Sequence, residues 1–175
     1  MTTIKDKFLP LVKVAEILSQ KYSAITTNPP YLNGTKMSPK LSSYCEKNYN
    51  DSKADLSAVF TTKALYEFLD KKAYMGFVTT ISWMYLKTFE EMRIKLIKEK
   101  QISSIVDFGT ELFDGKIGHL PIVSWINKND EPKYEVLAIK LNQFCYARRD
   151  EKKTEFYNKK NYYTLKQTDF EAIPG

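Results

Sequence analysis

Asn28-Pro29-Pro30-Tyr31 is the stretch of this chain best suited to chemistry, and it follows the short apolar run of residues 22–27. Two prolines remove two backbone donors and fix φ, so the chain cannot continue there as sheet or helix. The tetrapeptide reads as a rigid loop at the carboxyl end of a strand, where open α/β sheets bind their ligands. It offers two acceptors, the Asn28 side-chain oxygen and the Pro29 carbonyl, beside the flat ring of Tyr31. That set matches a planar exocyclic amine. The lone pair of such an amine is delocalised into its ring. Two acceptors holding both N–H bonds favour a pyramidal nitrogen whose lone pair faces an electrophile. The Tyr31 ring can stack on an extruded base, a contact worth roughly 1–3 kcal/mol.

The elements that must position this loop follow from periodicity. Residues 5–20 carry Leu9, Leu11, Val12, Ala15 and Leu18 at helical spacing and lead into a strand at 22–27. Residues 32–53 are polar and turn-rich, with Asn33-Gly34, Ser38-Pro39 and Asn50-Asp51-Ser52, and read as a long loop. A helix is expected from Ser52 to near Lys72, opened by Ser52 and Asp55 as an approximate capping box. A buried strand follows at 74–81, then a helix capped by Thr88 and Glu91 with Phe89, Met92, Leu96 and Ile97 inward. A third strand spans 102–108 and a fourth 121–126. The short turn between them implies a hairpin, with one antiparallel strand at the sheet edge. Residues 134–141 alternate like a half-exposed strand, and 148–160 are charged and helical in pattern. The layout is α/β.

Composition bounds the function. The chain has 175 residues, 43% hydrophobic and 27% charged, enough for one domain with a core. Its apolar runs are far too short for a membrane span, and no signal-peptide core opens it, so the expected location is cytoplasmic, with no membrane partner. Cys45 and Cys145 stand alone and indicate neither a metal site nor a disulfide framework. The net charge of +6, largely lysine interleaved with tyrosine, suits a polyanion but equally suits solvated helix faces. Lys36, Lys40, Lys47 and Lys53 lie in the loop after Tyr31, where they could touch phosphates.

Asn28-Pro29-Pro30-Tyr31 resembles motif IV of the amino-group methyltransferases that use S-adenosyl-L-methionine, above all the DNA adenine-N6 enzymes. The order of elements after it is similar to the C-terminal half of their Rossmann-like sheet, closing in an antiparallel hairpin. Residues 55–60 look like the start of the motif V helix, 73–84 like the motif VI strand and its exit, and Glu111-Leu112-Phe113 with 121–126 like motifs VII and VIII. The resemblance implies that Phe113, with Phe108 or Trp125 as substitutes, sandwiches a flipped adenine against Tyr31. The ordered series from Thr27 to Gly34, then Met37, Lys40-Leu41, residues 51–56 and Ser82-Trp83-Met84, is similar to the large adenine methyltransferases of BREX phage-defence systems and to fused type II restriction-modification enzymes. Residues 1–130 would then be a partial catalytic domain carrying motifs IV to VIII, and 131–175 the start of a connector toward a target-recognition region. The implied partners are double-stranded DNA with a flipped adenine and the missing N-terminal half of the enzyme or other defence proteins.

The departure from that family concerns the cofactor. Its glycine-rich turn precedes motif IV, yet only 27 residues precede Asn28 and none is glycine. Residues 105–110 lack the second glycine needed to replace it. Asp107-Phe108-Gly109 has no companion kinase motif. His119 reads as a surface residue. The chain is therefore expected to be a fragment that keeps the amine side of the site, lacks the main binding motif for S-adenosyl-L-methionine, is inactive alone, and leaves the strand at 22–27 with an open edge. Methylation of protein amides or RNA amines, and a non-catalytic DNA-binding or assembly module of a defence complex, are the alternatives.

Overall fold

The computed structural model describes residues 4–130, 135–144 and 148–172. A first helix, α1 (Ile4–Ser19), delivers the chain to β1 (Tyr22–Thr27). After the loop come α2 (Pro39–Asn48), α3 (Leu56–Lys63), β2 (Leu69–Thr80), α4 (Glu90–Glu99), β3 (Gln101–Gly109) and β4 (Ile122–Lys128). The chain then adds β5 (Glu135–Lys140), the short α5 (Glu151–Glu155) and β6 (Tyr162–Lys166). All six strands form one sheet in the order β1-β2-β4-β3-β5-β6. β1 lies parallel to β2 and β3 parallel to β5, while β4 runs antiparallel to both of its neighbours.

The core forms where one sheet face meets α3 and α4. Phe77, Trp125 and Ile105 stand in register across β2, β4 and β3, and they pack with Leu65, Phe89, Met92 and Leu96. On the opposite face Tyr74, Ile126 and Leu137 remain exposed. A second cluster of Val106, Ile139, Leu141 and Phe144 joins β3 to β5 with partly buried Phe108 and Phe156. β5 and β6 thus extend the same sheet beyond residue 130.

Several expectations are corrected. The loop at 32–53 contains a ten-residue helix, because Ser38 is an N-cap whose hydroxyl accepts from Leu41 N and Pro39 occupies the first turn. The helix expected to reach Lys72 stops at Lys63 and passes through a π-helical turn, Ala64–Phe68, into β2. Leu69 pairs with Tyr22, and Asn129 Nδ2 donates to the Leu69 and Asp70 carbonyls, taking the backbone groups a longer helix would use. Asp55 alone caps α3, accepting from Ser57 N at 2.8 Å. Thr88 and Glu91 form no capping box; a 3-10 turn at Lys87–Phe89 leads into α4, whose first turn carries Glu90 and Glu91 at the positive end of the helix dipole. β4 is interior rather than an edge, because its backbone pairs with β2 on one side and β3 on the other, and β5 and β6 continue the sheet beyond β3. The helix expected at 148–160 is confined to α5, and Cys145 lies outside the described residues. No described helix is long and apolar enough to cross a membrane.

Candidate active site

β1, β2 and β3 end, and β4 begins, at one edge of the sheet, so the segments that follow Thr27, Thr80 and Gly109 share that edge. Asn28 is exposed there, and its side chain has no hydrogen-bond partner among the described residues. Pro29 is buried and anchors the turn, whereas Pro30 is exposed. Tyr31 is half-buried and donates its hydroxyl to the Val78 carbonyl at 3.2 Å. Burial, reinforced by the Asp55 carboxylate, pushes the Tyr31 phenol up to about 12. The phenol therefore stays neutral at physiological pH.

The residues after Tyr31 are tied to the N-terminus of α3. Leu56 N donates to the Leu32 carbonyl at 2.9 Å, and Gly34 N to the Ala54 carbonyl at 2.8 Å. Between them Asn33 and Asp55 form an isolated antiparallel bridge. A Cβ on Gly34 would lie 3.0 Å from the Lys53 carbonyl oxygen, so this close approach favours glycine. The clamp joins residues some twenty positions apart. In the sequence only the Asn33-Gly34 pair points to it, and that pair reads as a turn.

A cleft of about 690 Å³ opens beside the clamp. One wall carries Asn33, Thr35, Lys53 and Asp55; the other carries Ser82, Leu86, Thr88 and Phe89 from the segment beyond β2. Of the four lysines expected near phosphates, only Lys53 lines this cleft, and its Nζ donates to Asn50 Oδ1 at 2.8 Å. Lys36, Lys40 and Lys47 are exposed along the same segment. A separate cluster holds α2 in place: Tyr49 donates to Glu67 at 2.5 Å and Lys63 reaches both. Partial burial pushes the Glu67 carboxyl up, but hydrogen bonds from Lys63 and Tyr49 outweigh it and hold the group below its usual range.

Phe113 is half-buried in the connection from β3 to β4, at the same sheet edge as Tyr31. The structure does not stack the two rings: their parent strands are three positions apart, roughly 14 Å at ordinary strand spacing. Phe108 packs in the second core cluster and Trp125 is buried against Trp83, so both are core residues. His119 is exposed, 3.7 Å from Glu111. Among the described residues no cluster of histidine, cysteine or carboxylates could hold a metal, and burial pushes the Cys45 thiol up.

A rigid polar-aromatic loop at the carboxyl edge of a largely α/β sheet defines a class of protein, and residues 3–113 match the Eco57I restriction-modification methylase family; the chain belongs to that family. It is 31% identical over 97% of its length to the adenine-specific methyltransferase BrxX of Escherichia coli O9:H4 (strain HS). It is 28% identical over 94% of its length to the adenine-specific methyltransferase PglX of Lacticaseibacillus casei (strain Zhang). The chain spans 14% of the length of each of these relatives. Its fold is similar to a chain of a type I restriction-modification system (TM-score 0.64, 13% identity, covering 89% of this chain and 36% of that one). It also resembles a protein described as a class I S-adenosylmethionine-dependent methyltransferase from Listeria monocytogenes (TM-score 0.56, 13% identity, 81% and 43% covered). The expected Rossmann-like methyltransferase sheet is the fold observed.

Proposed function

We propose that this chain is the amine-gripping part of a DNA adenine-N6 methyltransferase acting in phage defence or restriction-modification. The observation that carries the proposal is the Asn28–Tyr31 loop itself: the segment is tied down on both sides, yet the Asn28 carboxamide is left exposed and uncommitted. Asn28 Oδ1 and the Pro29 carbonyl accept the two N–H bonds of the flipped adenine and leave its lone pair free to attack. Tyr31 supplies the stacking face, and Phe113 lies farther along the same sheet edge. Lys36, Lys40, Lys47 and Lys53 meet DNA phosphates.

The methyl donor of this class is S-adenosyl-L-methionine, and three of the five described glycines leave it no close backbone approach. Gly34 packs against the Lys53 carbonyl, Gly109 would place a Cβ 2.8 Å from Asn142 Cα, and Gly118 would place one 2.7 Å from the Phe113 carbonyl, so each already receives this chain's own atoms. The donor is held mainly by the rest of the protein, which also covers the open edge of β1. Beyond residue 130, β5 and β6 lead toward a target-recognition region.

Methylome sequencing of cells carrying the intact gene or its Asn28→Ala form tests the proposal. Loss of an adenine mark at one sequence motif is expected. An unchanged methylome with lost phage resistance would make the chain an assembly module instead.

A further inference from the structure

The chain has two tryptophans, and one hydroxyl serves both. Thr79, buried near the end of β2, accepts at Oγ1 from Trp83 Nε1 and from Trp125 Nε1, each at 3.2 Å. The two indoles pack at 4.6 Å between centroids. An indole N–H is a donor only, and leaving one buried without an acceptor is costly, so Thr79 is the atom on which the pair depends.

The two rings belong to different kinds of structure. Trp125 sits in β4, in register with Phe77 and Ile105, and is part of the sheet. Trp83 sits in the 3-10 turn Ile81–Met84, in the segment that carries Ser82, Leu86, Thr88 and Phe89 into the cleft. That segment is also held by Ile81 N donating to the Pro121 carbonyl and by Arg93, which donates to the Trp83 and Leu86 carbonyls at 2.9 Å each. Adjacent residues of β2 therefore hold the Asn28–Tyr31 loop and the far wall of the cleft: the Val78 carbonyl receives the Tyr31 hydroxyl, and the Thr79 hydroxyl receives Trp83.

We propose that Thr79 is a positioning residue, whose hydroxyl tethers Trp83 to the sheet and so fixes residues 81–89 as the wall that faces Asn33, Thr35, Lys53 and Asp55 across the cleft, where the chain continues from the Asn28–Tyr31 loop. The role in catalysis rests on the function proposed above; the tether does not. Trp125 is the fixed reference, and Trp83 is the part that moves when the tether is lost.

The test uses the full-length protein and four variants: Thr79→Val, Thr79→Ser, Trp83→Phe and Trp125→Phe. The last two each remove one N–H and shrink one buried ring, but only Trp83→Phe cuts the cleft wall loose. Amide hydrogen exchange at Tyr85, Leu86 and Phe89, all hydrogen-bonded within the segment, reports its order. Thr79→Val and Trp83→Phe should each speed that exchange and lower kcat by about tenfold, with KM for target DNA within about threefold, the size expected for a lost buried hydrogen bond that acts on positioning. Thr79→Ser and Trp125→Phe should stay within about twofold of wild type in both readouts. Equal effects of Trp83→Phe and Trp125→Phe, or faster exchange with unchanged kcat, would overturn the proposal. If Thr79→Val does not fold, the tryptophan pair and Thr79→Ser decide. If the wild-type protein does not methylate DNA, the function proposed above fails, while the exchange data still decide the tether.

Discussion

The Asn28–Tyr31 loop and the helix that precedes β1 lie close in sequence and are treated oppositely by the fold. The loop and its continuation are held by Pro29 burial, by the Tyr31 hydroxyl on Val78 and by the bridge to residues 54–56. In α1, residues 6–19 are all exposed, among them Phe8, Leu9, Leu11, Val12, Val14, Ile17 and Leu18. β1 is an edge strand beside it. Exposed apolar side chains on α1 and an unpaired strand edge at β1 are features that other protein segments can cover. Under the function proposed above, the difference separates two jobs: the grip on the amine would be built within this chain, whereas the methyl donor would be held by what covers α1 and β1.

The sharpest way to break that division is to ask the 175 residues alone to bind S-adenosyl-L-methionine. Titration calorimetry should show no saturable heat, because the described glycines mostly face this chain's own atoms; micromolar binding would place a donor site within it. Gly34→Ala attacks the other half of the comparison. Its new methyl meets the Lys53 carbonyl at 3.0 Å, and denaturant unfolding should show a loss of about 1–3 kcal/mol together with reduced methylation by the full-length protein. Tyr31→Ala should weaken binding of an extruded base by roughly 1–3 kcal/mol, measured with duplexes carrying a mismatched target adenine.

Tyr31→Phe is milder and reads the anchor rather than the stack. Losing the bond to Val78 should cost about 1 kcal/mol at neutral pH. The folded phenol is raised from 10.0 to about 12, first by burial and then by Asp55, so the fold favours its neutral form. That stability is fully present below the unfolded phenol value and is lost as pH rises through the folded one. The gap between wild type and Tyr31→Phe in unfolding experiments should therefore shrink between these two values. The smallest effect is at the open edge. Ala24→Lys, on exposed β1, should reduce concentration-dependent association of the isolated chain in sedimentation experiments while changing its stability by no more than about 0.5 kcal/mol.

What could be read in advance follows the range of the interaction involved. β1, β3 and the buried face of α4 were legible, because a short apolar run or a 3.6-residue spacing of Met92, Leu96 and Ile97 reports local burial directly. Ser38-Pro39 was ambiguous, since the same dipeptide opens a turn or caps a helix, and Cys45 packing against Val59 decides for the helix. Leu65 and Leu69 continue the spacing of α3, so the switch to β2 appears only once Leu69 meets Tyr22. Strand order, which places β4 inside the sheet, depends on pairings among residues far apart. The site divides in the same way. Asn28 to Tyr31 announce themselves by chemistry, whereas the Gly34–Ala54 clamp and the Thr79 acceptor exist only after folding.

The central claim is that Asn28 acts on the amine and on nothing structural. Single-turnover methylation by the full-length protein, wild type against Asn28→Ala, tests it directly when DNA and donor binding are measured alongside. Because Asn28 is exposed with no partner among the described residues, the variant should fold and bind both ligands normally. Its rate should fall by roughly 10²–10³-fold, the scale of removing one preorganised polar contact at a reacting centre. An unchanged rate with intact binding would contradict the claim.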